Sequence, residues 1–171
     1  MTLRSLLVSF LLAAPLAAQQ PAVPFVRGMV VTHSVRIAPG RYLAPAGDSG
    51  AITVRGSNIT VDLRGVELIG SNNRHNPDTF AGTAIRIEGG KHVTVRGARI
   101  RGYKIGIIAR GVTQLHLLDN DLSDNWRPRL YSGIEKESLV DWLSYHHNEQ
   151  DEWLRYGAAI YLADVTASEV K

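Results

Sequence analysis

Cysteine is absent from the 171 residues. No disulfide can staple the fold, so a stable exported form must draw its stability from another source, such as a long stack of hydrogen-bonded strands. Methionine occurs only twice, and Met1 is one of the two. That counts against a site built from repeated thioether ligands for copper. A strong charge of one sign is also missing. The net charge is +3, too mild to single out nucleic acid as a partner. Beyond the N-terminus no run is long and apolar enough to span a bilayer, which needs roughly 20 residues. Hydrophobic residues make up 44 % of the chain, so the composition is that of a folded domain with a core.

The first residues read MTLRSLLVSFLLAAPLAAQQ. Arg4 supplies a positive start, Ser5 to Ala14 an apolar stretch, and Leu16-Ala17-Ala18 small residues before a cut. This is the pattern of a secretory signal peptide over residues 1–18, shorter in its apolar part than a membrane anchor. The mature chain is therefore expected to be exported, periplasmic or extracellular, with no membrane segment after cleavage. Residues 19–28, with Pro21 and Pro24, read as a linker.

The remainder is organised by a repeat. Setting Ile85 over Ile107 puts Ile87 over Ala109, Val93 over Leu115, Val95 over Leu117 and Ile100 over Leu122, a constant offset of 22 residues. A period of this size signals stacked repeats. Residues 51–70 give an earlier copy, with Ile52 over Ile85, Val54 over Ile87, Leu63 over Val95 and Leu68 over Ile100. This register needs one residue gained between Gly56 and Val61. After Gly157 the pattern resumes, with Ile160 in the place of Ile107, Leu162 in that of Ala109 and Val170 in that of Leu117. Alternating apolar residues are interrupted by glycines suited to corners. Outward positions form charge columns, Arg55–Glu88–Arg110 and Glu67–Arg99–Asp121, whose alternating signs favour the register. One column conflicts: Arg64 falls over Arg96, which repels unless something acidic lies between.

These features predict an all-β fold, a right-handed parallel β-helix or solenoid occupying residues 29–171. Its coils fall at 29–50, 51–83, 84–105, 106–158 and 159–171. The first is irregular and the last incomplete, as in the N-terminal fragment of a longer solenoid. Residues 71–81 read as an inserted loop. Leu139, Trp142, Leu143 and His146 recur at helical spacing, so the fourth coil is expected to carry a helical insertion near residues 134–156.

The stretches AITVRGSNITVDLRGVELIG, GTAIRIEGGKHVTVRGARIRGY and LHLLDNDLSDN resemble the right-handed parallel β-helix repeats of the pectin-lyase-like superfamily. That resemblance implies the fold but not one activity. Its members include polysaccharide lyases and hydrolases, epimerases, phage tailspikes and a periplasmic protein that supplies copper to nitrous-oxide reductase. Taken with the export signal and the basic flank, it points to an exported protein that binds or cleaves a polysaccharide. The alternative is a non-catalytic scaffold for surface binding or copper delivery.

Three groups could carry chemistry. Asp119, Asp121 and Asp124 lie in one short acidic run. They could bind Ca²⁺ through oxygens or supply an acid and a base for glycoside cleavage. Polygalacturonase-like members of the superfamily use clustered aspartates, but their adjacent Asp-Asp pair, Gly-His-Gly and Arg-x-Lys elements are absent here. Asx residues in such turns also serve purely as turn formers. Arg64, Arg86, Arg96, Arg99 and Arg101 point outward on neighbouring coils and could grip the carboxylates of an acidic polysaccharide; the same arginines would also serve as a solubilising, ion-paired surface. His146, His147 and Glu149 could bind a transition metal, although adjacent residues on a helix point about 100° apart. His75, His92 and His116 stand alone.

Overall fold

The computed structural model describes residues 21–73, 76–126, 133, 135–139 and 157–171. Among them are twelve strands: β1 (Ala22–Val23), β2 (Met29–Val31), β3 (Val35–Ile37), β4 (Gly40–Leu43), β5 (Ile52–Arg55), β6 (Ile59–Ile69), β7 (Thr83–Glu88), β8 (Lys91–Arg101), β9 (Ile105–Arg110), β10 (Thr113–Leu118), β11 (Ala158–Ala163) and β12 (Glu169–Val170). The fold is all-β and the pairing of these strands is parallel. A 3-10 turn, Pro77–Thr79, lies in the polar loop after β6. Among the described residues no helix is long and apolar enough to cross a membrane. The residues expected as signal peptide, and nearly all of the helical insertion expected at 134–156, lie outside the described residues.

From β4 onward each repeat contributes to two sheets in turn. The five-stranded sheet runs β2-β5-β7-β9-β11. The seven-stranded sheet runs β1-β3-β6-β8-β10-β12, with β4 beside the second half of β6. Local sequence explains the strands. β6 reads ITVDLRGVELI, rich in β-branched residues that suit a pleated, half-buried surface. The long strands β6 and β8 turn a corner midway, at Gly65 (φ 81°) and Gly97 (φ 70°). A Cβ on Gly97 would come within 3.1 Å of Arg64 Cα and closer still to its side chain, so backbone conformation and neighbour both demand glycine there.

The core lies between the sheets and is a ladder of aliphatics. Ile52 pairs with Ile85, Ile85 with Ile107 and Ile107 with Ile160; the first three are fully buried. Val61, Val95, Leu117 and Val170 form a second column. Leu68 and Ile100 form a third. Each buried rung stabilises the stack by roughly 1.5–3 kcal/mol. The expected alignment of the last segment is therefore seen: Gly157 onward returns to the repeat in register with β9 and β10. The stretch expected as a linker carries β1, and Val23 and Phe25 pack against the core.

The expected register of residues 51–70 needs correction in its middle. Val61, not Leu63, pairs with Val95, and Asp62, not Arg64, pairs with Arg96. The net gain of one residue results from two opposed irregularities. Between β7 and β8 the later repeat holds one extra residue at the Gly89–Gly90 turn. Then Leu63, Arg64 and Gly65 stand opposite the single residue Gly97. Beyond the corner Leu68 meets Ile100, as the repeat predicts.

Polar side chains close the turns. Asn125 is buried; its Oδ1 accepts from Tyr103 N (3.1 Å), and its Nδ2 donates to the Ile100 (3.0 Å) and Leu122 (2.8 Å) carbonyls. Asn120 makes the equivalent bridge, accepting from Ala98 N and donating to Val95 O. Tyr103 is wholly buried and donates its hydroxyl to Ala44 O at 2.7 Å. Burial pushes that phenol well above its usual range. Two departures from the repeat also meet: Trp126 Nε1 donates to Asp78 O at 3.0 Å.

Candidate functional site

Four arginines named from the sequence, Arg64, Arg96, Arg99 and Arg101, lie on the outer face of the seven-stranded sheet. β6 and β8 place them, because alternation along each strand sends Leu68 and Ile100 inward and their neighbours outward. The glycine corner divides this face into two halves. A groove of about 340 Å³ runs over it, lined by Gly40, Arg41, Gly65, Val66, Glu67, Gly97 and Arg99. Glycines leave this strip without side chains, which opens the groove.

On the first half-face the centre is Asp62, a residue that the repeat alignment missed. Its carboxylate is almost buried. Arg64 donates from Nε to Oδ1 (2.9 Å) and Oδ2 (3.1 Å), and from Nη2 to Oδ2 (2.6 Å). Arg96 donates from Nη2 to the same Oδ2 at 2.9 Å. Arg64 and then Arg96 outweigh the cost of burial and hold the Asp62 carboxyl far below the usual carboxylate range. Arg36 occupies the same column on the other side of Asp62. The apparent stacking of Arg64 over Arg96 is thus resolved by an acid between them. The like-charge conflict was the signal that could have revealed it.

On the second half-face the centre is a cation. Arg101 donates from Nη2 to Asp121 Oδ2 at 2.8 Å, pairs through Nη1 with Asp124, and approaches Glu67 Oε1 at 3.6 Å. Arg99 adds a contact to Asp121 at 3.3 Å, and Arg41 one to Glu67 at 3.2 Å. Asp121 Oδ1 accepts from Ser123 N (3.1 Å) and Ser123 Oγ (2.6 Å). These serine bonds, followed by Arg101 and Arg99, lower its pKa. Both oxygens are therefore engaged and the group is held ionised, which suits neither a general acid nor an available base. Asp124 is tied to Arg101. Asp119 is exposed at a left-handed turn (φ 54°), where its N–H donates to Lys171 O.

The five-stranded sheet carries a smaller charged strip. Glu88 accepts from Arg86 Nε and Arg55 Nε, each at 2.7 Å, and its pKa falls because of them, Arg86 first. Arg110 ends that column beneath the Tyr161 ring, 5.3 Å from its centroid. Elsewhere His116 Nδ1 stands 3.5 Å from Glu169, and His92 occupies a left-handed turn. His75, His146, His147 and Glu149 lie outside the described residues. Among the described residues no three His, Cys, Asp or Glu side chains are grouped so as to hold a metal ion. At the acidic run, the Arg101 guanidinium pairs with both Asp121 and Asp124. No family model, no curated protein and no solved structure matches the chain.

Proposed function

We propose that this chain is part of an exported, right-handed parallel β-helix protein of the pectin-lyase-like kind, and that it binds a polysaccharide along the outer face of the seven-stranded sheet. The observation that carries this reading is the juxtaposition of half-exposed arginines on neighbouring repeats with a glycine-lined groove. Planar guanidiniums supply directed donors to sugar hydroxyls and acidic groups. A groove parallel to a stack of repeats suits a long, repeating ligand.

Binding without cleavage is favoured over a lyase or hydrolase activity. Glycoside cleavage needs one carboxyl kept protonated and a second left available. Asp121 and Asp124 are committed to arginines, and Asp119 stands apart at its turn. Binding to a glycan array, combined with an assay for unsaturated uronate products and for reducing ends, tests both halves. Retention on at least one polysaccharide with no product is the expected result. Product formation would restore the catalytic reading, and no binding across a broad panel would overturn the proposal.

A further inference from the structure

We infer that Arg64 and Arg96 together form a seat for an oxyanion group, a carboxylate or a sulfate ester. The inference rests on the polysaccharide reading only for what carries the anion. Both guanidiniums converge through Nη2 on one oxygen, Asp62 Oδ2, at 2.6 and 2.9 Å. Arg64 spends its Nε–Nη2 edge on Asp62, and Arg96 spends only Nη2. Arg96 Nε is buried and has no acceptor. Neither Nη1 has an acceptor among the described residues. The side chains remain 56 % and 41 % exposed, so with Arg96 Nε buried the Nη1 groups are the donors left for a ligand.

The charge balance points the same way. Two guanidiniums meet one carboxylate, in a column that continues past Arg96 to Leu118. Asp119 lies one residue beyond. Asp62 is buried and fixed, so it holds the two arginines in place before any ligand arrives, and preorganisation lowers the cost of binding. An anion with two or three oxygens can then bridge guanidiniums from adjacent strands, which stand about 4.8 Å apart. Gly65 and Gly97 follow Arg64 and Arg96 directly, and the groove they line leaves room for the sugar that bears the anion. Arg99 and Arg101 differ, because Asp121, Asp124 and Glu67 already match their charge.

The test is an NMR titration of arginine Nε–Hε signals in the full chain, with inorganic sulfate and separately with acetate. The seat predicts saturable shifts at Arg64 and Arg96, and little change at Arg99 and Arg101. No shift at Arg64 and Arg96 with either ion, or equal shifts at all four, would overturn it. Which ion binds more tightly identifies the source: sulfate points to a sulfated glycan and acetate to a uronate. A polymer arm uses dextran sulfate, polygalacturonate and neutral dextran. The Arg64→Gln/Arg96→Gln variant should weaken binding of the preferred polyanion about tenfold or more, the loss expected for one or two charge-assisted bonds. Arg55→Gln, on the other sheet and paired with Glu88, should leave it unchanged. Undiminished binding by the double variant overturns the seat even if the polysaccharide reading stands. Shifts with small ions but no binding of any polymer leave the seat and remove that reading. The wild-type titration needs no substitution, and Arg96→Lys keeps the charge should the double variant fold poorly.

Discussion

The two halves of the seven-stranded sheet's outer face are opposites. Before the glycine corner an anion, Asp62, is held by Arg64 and Arg96; beyond it a cation, Arg101, is held by Asp121, Asp124 and Glu67. The first centre is nearly buried and has more cations around it than it can neutralise. The second is neutral overall and redundant, since Asp121 also has Ser123 and Arg99, and Glu67 has Arg41. The same residue types, arginines and acids, thus give one half-face that can take up a further anion and one that is closed to it. A list of outward arginines cannot distinguish the two. What distinguishes them is which acids the register brings alongside.

The largest change expected would remove the platform beneath both halves. Ile100 is fully buried on β8, in the column it shares with Leu68. Ile100→Asp places an unpaired carboxylate there and should cost about 4 kcal/mol or more. Loss of the cooperative thermal transition by circular dichroism is the expected outcome, and a wild-type melting temperature would refute the stacking. Next comes the comparison itself. Asp62→Asn leaves arginines facing a neutral amide and should cost about 2 kcal/mol, the scale of charged hydrogen bonds partly screened by solvent. Arg101→Gln leaves Asp121 and Glu67 with other partners and Asp124 half in solvent, and should cost about 1 kcal/mol. Denaturant unfolding of both variants checks the order, and a reversed order would mean that the second half-face is the less redundant.

Acid sharpens the same contrast. Asp62 and Asp121 both have pKa values lowered in the folded state, so in the acid range the unfolded chain binds more protons than the folded one. Their contribution is complete above the ordinary carboxylate range, near pH 4, and is lost as pH falls through the depressed folded values. Melting temperature should hold from neutral pH down to about 5 and then decline. In Asp62→Asn the decline should be shallower, and an unchanged slope would deny Asp62 its role. The smallest effect expected is for Arg99→Gln. Arg99 is 58 % exposed and makes one long contact at 3.3 Å, so stability should move by no more than about 0.5 kcal/mol.

How much of this the sequence revealed depends on the kind of interaction. The period brought Ile85, Ile107 and Ile160 into one column across some thirty intervening residues that do not repeat, because stacked aliphatics must recur at matching positions. The columns Glu88–Arg110 and Arg99–Asp121 followed from the same register. Asp62 did not, because it depends on three residues of one strand standing opposite one of the next, and a fixed offset hides such an irregularity. The acidic run was readable as aspartates but not as occupied ones. That Arg101, twenty residues earlier than Asp121, pairs with both Asp121 and Asp124 is a fact of three dimensions. The buried tie from Tyr103 to Ala44, 59 residues apart, has no periodic signature either.

The way the chain leaves and rejoins the stack also matters for engineering. Trp126 N–H donates to Tyr103 O at 2.8 Å, and Ala158 N–H donates to Lys104 O at 3.0 Å. Exit and re-entry therefore rest on two consecutive residues of the repeat below, and a Cβ on Gly157 would lie 2.9 Å from the Trp126 ring. A segment whose two ends are fastened this close together is a cassette: a tight turn, or a folded domain with neighbouring termini, could be spliced between Trp126 and Gly157 while β9, β10 and β11 keep their places.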